Sequence, residues 1–282
     1  MVERNGLLTL LTHGVLICGV ALVGFPLYLA LVASSHSPQE LAQAPIPIWF
    51  GDQLWQSYSA AITGDGRASA QGAAARMLWV SFIVAMAITV GKISVSLLSA
   101  FALVYFRFPL RRLCFWAIFI TLMLPVEVRI GPTYQVIADL HMVNSFAGLA
   151  VPLIASATAT FLFRQFFLTV PDELVEAARM DGAGPLRFFW DILLPLSGTS
   201  IAALFVIQFI YGWNQYLWPL IVATNENMYP VTVGLRRMFG GADSPPQWNV
   251  VMATALLATL PPALVVVLMQ KWFVKGLVDG DK

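Results

Sequence analysis

The chain has 282 residues, of which 59% are hydrophobic and 11% charged, with a formal net charge of +1 and a mean hydropathy of +0.76. Soluble domains lie nearer about 45–50% apolar and about 25% charged. A soluble globule is therefore excluded and an all-α integral membrane protein is expected. The near-neutral balance points to no nucleic-acid partner.

A helix needs about 20 mostly apolar residues to cross hydrocarbon, because each residue advances the chain by only about 1.5 Å. Six such stretches occur in chain order, roughly at residues 10–33, 77–104, 113–134, 145–167, 199–223 and 249–270. They form a single transmembrane domain over residues 1–282, with a bilayer of phospholipid as its solvent. The first stretch is too long for a signal-peptide core and is read as retained. Cys18 and Cys114 each sit in an apolar run and are expected to be small buried side chains.

Six spans put both termini on one side. With the termini in the cytoplasm, ten basic residues fall inside and five outside, and Lys92 lies within a span. That bias, and above all the tight "YFRFPLRR" connection at 105–112, favours cytoplasmic termini by the positive-inside rule. Residues 34–76 then lie outside. Their Trp49, Phe50, Trp55 and Tyr58 read as an interfacial or partner-contacting cap.

Catalytic signatures are missing. Gly91-Lys92 is followed by Ile93, so no phosphate-binding P-loop is present, and neither H-E-x-x-H nor G-x-S-x-G occurs. His13, His36 and His141 are far apart. No catalytic residue, metal site or cofactor is expected, and the chain is read as a non-enzyme.

Between the fourth and fifth spans, residues 168–198 break the apolar pattern with "EAARMDGAGPLRFFWDILLPL", from Glu176 to Leu196. Pro171 suits the start of a helix, and Asp172 and Glu173 then favour its positive N-terminal end. Glu176 and Arg179 stand i,i+3 and can pair on the surface. Gly182 sits at a C-cap position, and Gly184-Pro185 prevents continuation. A second short helix is expected from Leu186 to Leu194, stopping at Pro195. Leu174, Ala177 and Ala178 make a small-residue face, which suits either a solvated loop or docking into a groove on a soluble partner.

Glu176-Ala177-Ala178, then Gly182, then Ile192-x-Leu194-Pro195 resembles the EAA loop of ABC-importer membrane subunits, position for position. The likeness to the carbohydrate-type permeases of that family extends along the chain through "SAFALVYFRFPLR", "PDELVEAARMDGA" and "FIYGWNQYLWPL". It implies a type I importer fold in a bacterial inner membrane. The implied partners are a dimer of ATP-binding subunits, a second homologous permease subunit and a periplasmic substrate-binding protein. The implied cargo is a glycerol phosphate or glycerophosphodiester, with a neutral sugar or polyol as the alternative. A stand-alone secondary transporter is the rival of another class, and it lacks the intramembrane acids such a carrier needs. Carried over residue by residue, Glu176, Ala177, Ala178 and Gly182 would form the docking face and its turn, with Arg179 and Asp181 as polar contacts.

Lys92, near the middle of its span, is costly enough to mark a protein interior or a water-filled route, at about 2.5–3.5 kcal/mol on insertion scales. An anionic cargo would need such a cation; an intersubunit or snorkelling lysine is the other reading. Glu127 and Arg129 stand i,i+2, do not face each other on a helix, and read as structural at the mouth. Tyr211, Trp213, Asn214 and Gln215, in "YGWNQYLWPL", read either as an aromatic belt or as pathway lining. Many sugar permeases of the resembled family carry an acid beside the Asn, and the neutral Gln215 would spare an anion that repulsion. Arg236 and Arg237 fall in the outer fifth connection, and Pro261-Pro262 predict a kink in the last span.

Overall fold

The computed structural model describes residues 6–43, 45–64, 73–121, 126–239 and 246–278, and their side chains except those of 7, 8, 126, 127 and 271–278. Arg67, Pro125, the chain beyond residue 278 and the Glu127 side chain lie outside the described residues. The first elements are α1 (Gly6–Ala33), α2 (Pro38–Leu41), α3 (Leu54–Thr63), α4 (Ala74–Tyr105), α5 (Arg111–Ile120), α6 (Val126–Asp139) and α7 (Phe146–Ala150). They are followed by α8 (Ala157–Thr169), α9 (Asp172–Met180), α10 (Pro185–Phe188), α11 (Leu194–Leu196), α12 (Gly198–Trp213), α13 (Leu217–Val222), α14 (Val231–Met238) and α15 (Trp248–Val278).

The chain separates into two compact units, one from Met1–Arg76 with Gly234–Leu260, the other from Met77–Val233 with Pro261–Lys282. In the first, α1 is apolar on all sides and largely exposed, as a helix facing lipid would be. It ends where Ser34 and Ser35 donate their hydroxyls to the Leu31 and Val32 carbonyls at 2.7 and 2.6 Å. The Ser35 hydroxyl also accepts the Gly51 N–H at 2.8 Å. A Cβ at Gly51 would stand 2.5 Å from the Ser35 carbonyl oxygen, so the close approach requires glycine. A reciprocal Ser37–Glu40 capping box starts α2. Asn249 Nδ2 of α15 donates to Ser57 Oγ of α3 at 2.9 Å.

In the second unit, α4 packs closely on α12: a Cβ at Gly212 would stand 3.0 Å from the Ala85 Cα. Between helices surrounded by lipid there is little hydrophobic drive, so such small-residue approach and its dispersion contacts carry the association. Two apolar clusters flank this crossing. One gathers Val84, Ile88, Leu149, Trp218 and Val222, with Trp218 Nε1 donating to the Gly148 carbonyl at 3.1 Å. The other stacks Phe101, Phe163, Phe167, Phe188 and Phe189.

Among the described residues, α1, α4 and α15 contain stretches long and apolar enough to cross a membrane. Two further stretches qualify only as bent pairs. The 145–167 stretch bends by 50° between Phe146–Leu153 and Ala157–Thr169, where Pro152 and the Ser156 N-cap end one helix and start the next. The 199–223 stretch ends as a helix at Trp213 and resumes as the short α13. Its helix instead joins the preceding Pro185–Leu196 segment across a 71° bend. Of the 113–134 stretch, the described residues lie in α5 and α6, of 10 and 14 residues. By contrast α15 continues as one helix through Pro261 and Pro262. Cys18 and Cys114, expected buried, are both exposed. They share outward faces of α1 and α5 with equally exposed apolar side chains, so their apolar setting is a lipid-type surface rather than a core.

Candidate functional site

Two places in the second unit gather the polar residues singled out by sequence. The first is the turn after α9. Pro171, in extended conformation, precedes a helix with Asp172 and Glu173 in its first turn and Arg179 in its last, the charge order that suits the helix dipole. At its end Gly182 adopts φ +73°, the Gly182 N–H bonds the Arg179 carbonyl at 3.1 Å, and the Ala183 N–H bonds that of Ala178 at 2.9 Å. This pair of bonds is a Schellman cap, and it fixes the direction of the chain leaving the helix.

Val175 and Ala178 face inward onto the aromatic cluster. Ala178 is buried, whereas Glu176, Ala177, Arg179 and Asp181 are exposed. This corrects the expected face: Ala178 lies beneath α9, and the exposed small and apolar positions are Leu174, Ala177 and Met180, joined by Leu186 and Trp190. The i,i+3 pair of Glu176 and Arg179 is not formed among the described residues. Arg187 Nε instead donates to Asp191 Oδ2 at 3.2 Å, an exposed contact worth little. The second short helix also differs from expectation. It does not stop at Pro195 but passes through a π-helical turn, Phe189–Leu193, into α11. The wider turn lets the Leu194 N–H reach the Phe189 carbonyl. Termination comes at Ser197, whose hydroxyl donates to the Leu193 carbonyl at 2.6 Å.

The second place is a cavity of about 560 Å3 whose lining includes Lys92, Arg129, Ser156, Thr158, Gln208 and Tyr211. Lys92 is 5% exposed, and its Nζ lies 3.5 Å from the centre of the Tyr211 ring, a cation–π contact that partly replaces lost hydration. No acid is present among the described lining residues. Among the described residues the cavity thus holds one buried and one exposed cation and no carboxylate, a lining that can hold or pass a negative charge.

Of the residues singled out by sequence, Lys92 and Tyr211 meet here. Trp213 does not reach the cavity: it is buried and stacks on Phe209 at 5.8 Å. Asn214 is exposed at the C-cap of α12. Gln215 folds back, its Nε2 donating to the Tyr211 carbonyl at 3.2 Å and its own carbonyl accepting from Thr232 Oγ1 at 2.6 Å. Arg129, read as structural, joins the lining. So does Gln208, 6% exposed, whose signal was an amide in an otherwise apolar run. Arg236 and Arg237 stand in the last turn of α14, a helix where a connection was expected.

Residues 92–279 match the family model described as "Binding-protein-dependent transport system inner membrane component". Over 282 residues, and the whole of both chains, the sequence is 59% identical to the sn-glycerol-3-phosphate transport system permease protein UgpE of Brucella melitensis. It is 57% identical over the same full length to the proteins of that name from Yersinia enterocolitica and Rhizobium meliloti. Among solved structures, a bacterial ABC transporter involved in the import of the acidic polysaccharide alginate contains a chain of the same fold. That chain superposes with a TM-score of 0.77 at 20% identity, covering 97% of this chain and 99% of its own.

Proposed function

Because this chain belongs to the binding-protein-dependent transport system inner membrane components, we propose that it forms half of the pathway of an ABC importer for sn-glycerol-3-phosphate or a glycerophosphodiester. It is a multi-pass, non-catalytic membrane subunit; ATP hydrolysis falls to separate subunits. In this reading both termini and residues 168–198 lie in the cytoplasm, residues 34–76 face the periplasm, and a second permease completes the pathway. A periplasmic binding protein delivers cargo. The cargo assignment is supported by full-length relatives, 57–59% identical, that carry that transport name.

The observation that carries the coupling role is the construction of α9. Its inner side is packed through Val175 and Ala178, its end is locked by the Gly182 turn, and its outer side offers Leu174, Ala177 and Met180 between charged residues. A groove on an ATP-binding subunit would cover that apolar face, while Glu176, Arg179 and Asp181 supply rim contacts that set register. A rigid helix transmits displacement where a flexible loop would absorb it. Motion of α9 passes through the Phe188 and Phe189 contacts to α4, which carries Lys92. Through the π turn and α11 it also reaches α12, which carries Gln208 and Tyr211. Closure of the ATPases would therefore move the helices that line the cavity.

The test is uptake by the assembled transporter in proteoliposomes, with ATP inside and loaded binding protein outside. Labelled sn-glycerol-3-phosphate should accumulate at least about tenfold over a control without binding protein. Transport of a neutral sugar such as maltose in its place would overturn the cargo assignment.

A further inference from the structure

The break between α7 and α8 aims a helix start at the cavity. Ser156 caps α8 with its hydroxyl on the Ala159 N–H at 3.3 Å, and its carbonyl takes the Thr160 N–H at 3.1 Å. The first two helical residues, Ala157 and Thr158, have N–H groups that no intrahelical carbonyl can reach, and both residues line the cavity. Independently, Lys92 from α4 and Gln208 from α12, each more than nine-tenths buried, line the same space. Lys92 has an aromatic face against it and, among the described residues, no carboxylate within ion-pair distance. Arg129 of α6 adds a second cation, itself exposed.

A buried ammonium without a counter-charge is expensive, and a helix start without an acceptor leaves donors unmet. One group meets both needs: a tetrahedral phosphate oxyanion, with several acceptor oxygens and at least one negative charge. We propose that this cavity is a phosphate-ester subsite. The non-bridging phosphate oxygens take the α8 N–H groups, the Lys92 ammonium, the Arg129 guanidinium and the Gln208 amide. Discrimination then follows from charge: a neutral polyol leaves Lys92 and the helix start unsatisfied, whereas the phosphate ester completes them. This permease therefore contacts the cargo itself and is not only a coupling partner of the second permease. The assignment rests on the glycerol-phosphate importer reading above.

The experiment uses the whole transporter in proteoliposomes and measures sn-glycerol-3-phosphate uptake against the concentration of loaded binding protein. Lys92→Met should cut uptake about tenfold or more, Lys92→Arg should restore much of the loss, and Arg129→Gln should reduce uptake about threefold to tenfold. Co-purification of the other subunits reports assembly. If Lys92→Met fails to assemble, the exposed Arg129 decides the matter through Arg129→Gln. Wild-type uptake in Arg129→Gln together with wild-type uptake in any assembled Lys92→Met complex overturns the subsite and leaves the importer intact. A wild-type complex that takes up no sn-glycerol-3-phosphate removes the importer reading, and the subsite falls with it.

Discussion

The α9 turn and the cavity are two polar places in an apolar chain, and they are built in opposite ways. The turn is contiguous: its caps, its charge order and its glycine all lie within about a dozen residues, so local rules suffice to describe it. The cavity takes Lys92, Arg129, the Ser156–Thr158 helix start and Gln208 from four segments. No local rule joins them. A contiguous site shows its surface to a soluble partner, while an assembled one is interior and can respond when its walls move. That contrast is what a coupling element and a pathway require.

The largest effect expected is at the turn. Glu176→Lys combined with Gly182→Asp should abolish co-purification of the ATP-binding subunits and lower uptake more than tenfold. Normal association and uptake would end the docking assignment.

Next comes a pair of neighbours that separates packing from docking. Phe189 is buried and meets Phe101 at 4.9 Å, whereas Trp190 is 61% exposed. Phe189→Ala should lose about 3–5 kcal/mol and lower the melting temperature of the purified subunit. Trp190→Ala should leave that temperature within about a degree yet weaken ATPase association several-fold. Equal thermal losses in both would blur the distinction between the inner and outer faces.

Smaller still is Gly182→Ala. No atom obstructs the added methyl group, but φ +73° disfavours it, so about 1 kcal/mol of local stability should go and uptake should fall by less than about fivefold. Gln215→Glu should alter uptake of the anion by no more than about twofold, because its side chain points back to the Tyr211 carbonyl and it is absent from the cavity lining. A selective loss of anion transport would extend the pathway beyond that lining.

A control outside both regions comes from His36. Its ring bonds the Trp49 carbonyl at 2.8 Å and the Glu40 carboxylate at 2.8 Å. The carbonyl, then the carboxylate, raises its pKa, while partial burial opposes them. A raised folded-state value means the contribution is complete below the ordinary histidine value and is lost as pH rises through the folded one. Glu40 is shifted down, first by His36 and then by the Ser37 N–H, so its contribution fades as pH falls through its own folded value. Melting temperature should therefore drop slightly on the alkaline side, and His36→Ala should remove that step without changing ATPase association.

Membrane character, the helical class and the helix–glycine–helix turn at 172–196 were legible in the sequence because each depends on near neighbours. So was the anomaly of Lys92, since one charge in an apolar run is visible without a fold. The inward turn of Ala178 was hidden: the aromatic cluster beneath α9 contains Phe101 and Phe163, which are distant in the chain. The same holds for the breaks in the 145–167 and 199–223 stretches, where a bend is set by what each half packs against. Composition and local spacing determined which residues are costly in lipid and where α9 begins and is capped. Only tertiary structure decided which costly residues meet, because the Lys92 ammonium, a helix start and a buried amide become one site when α4, α8 and α12 converge around one space.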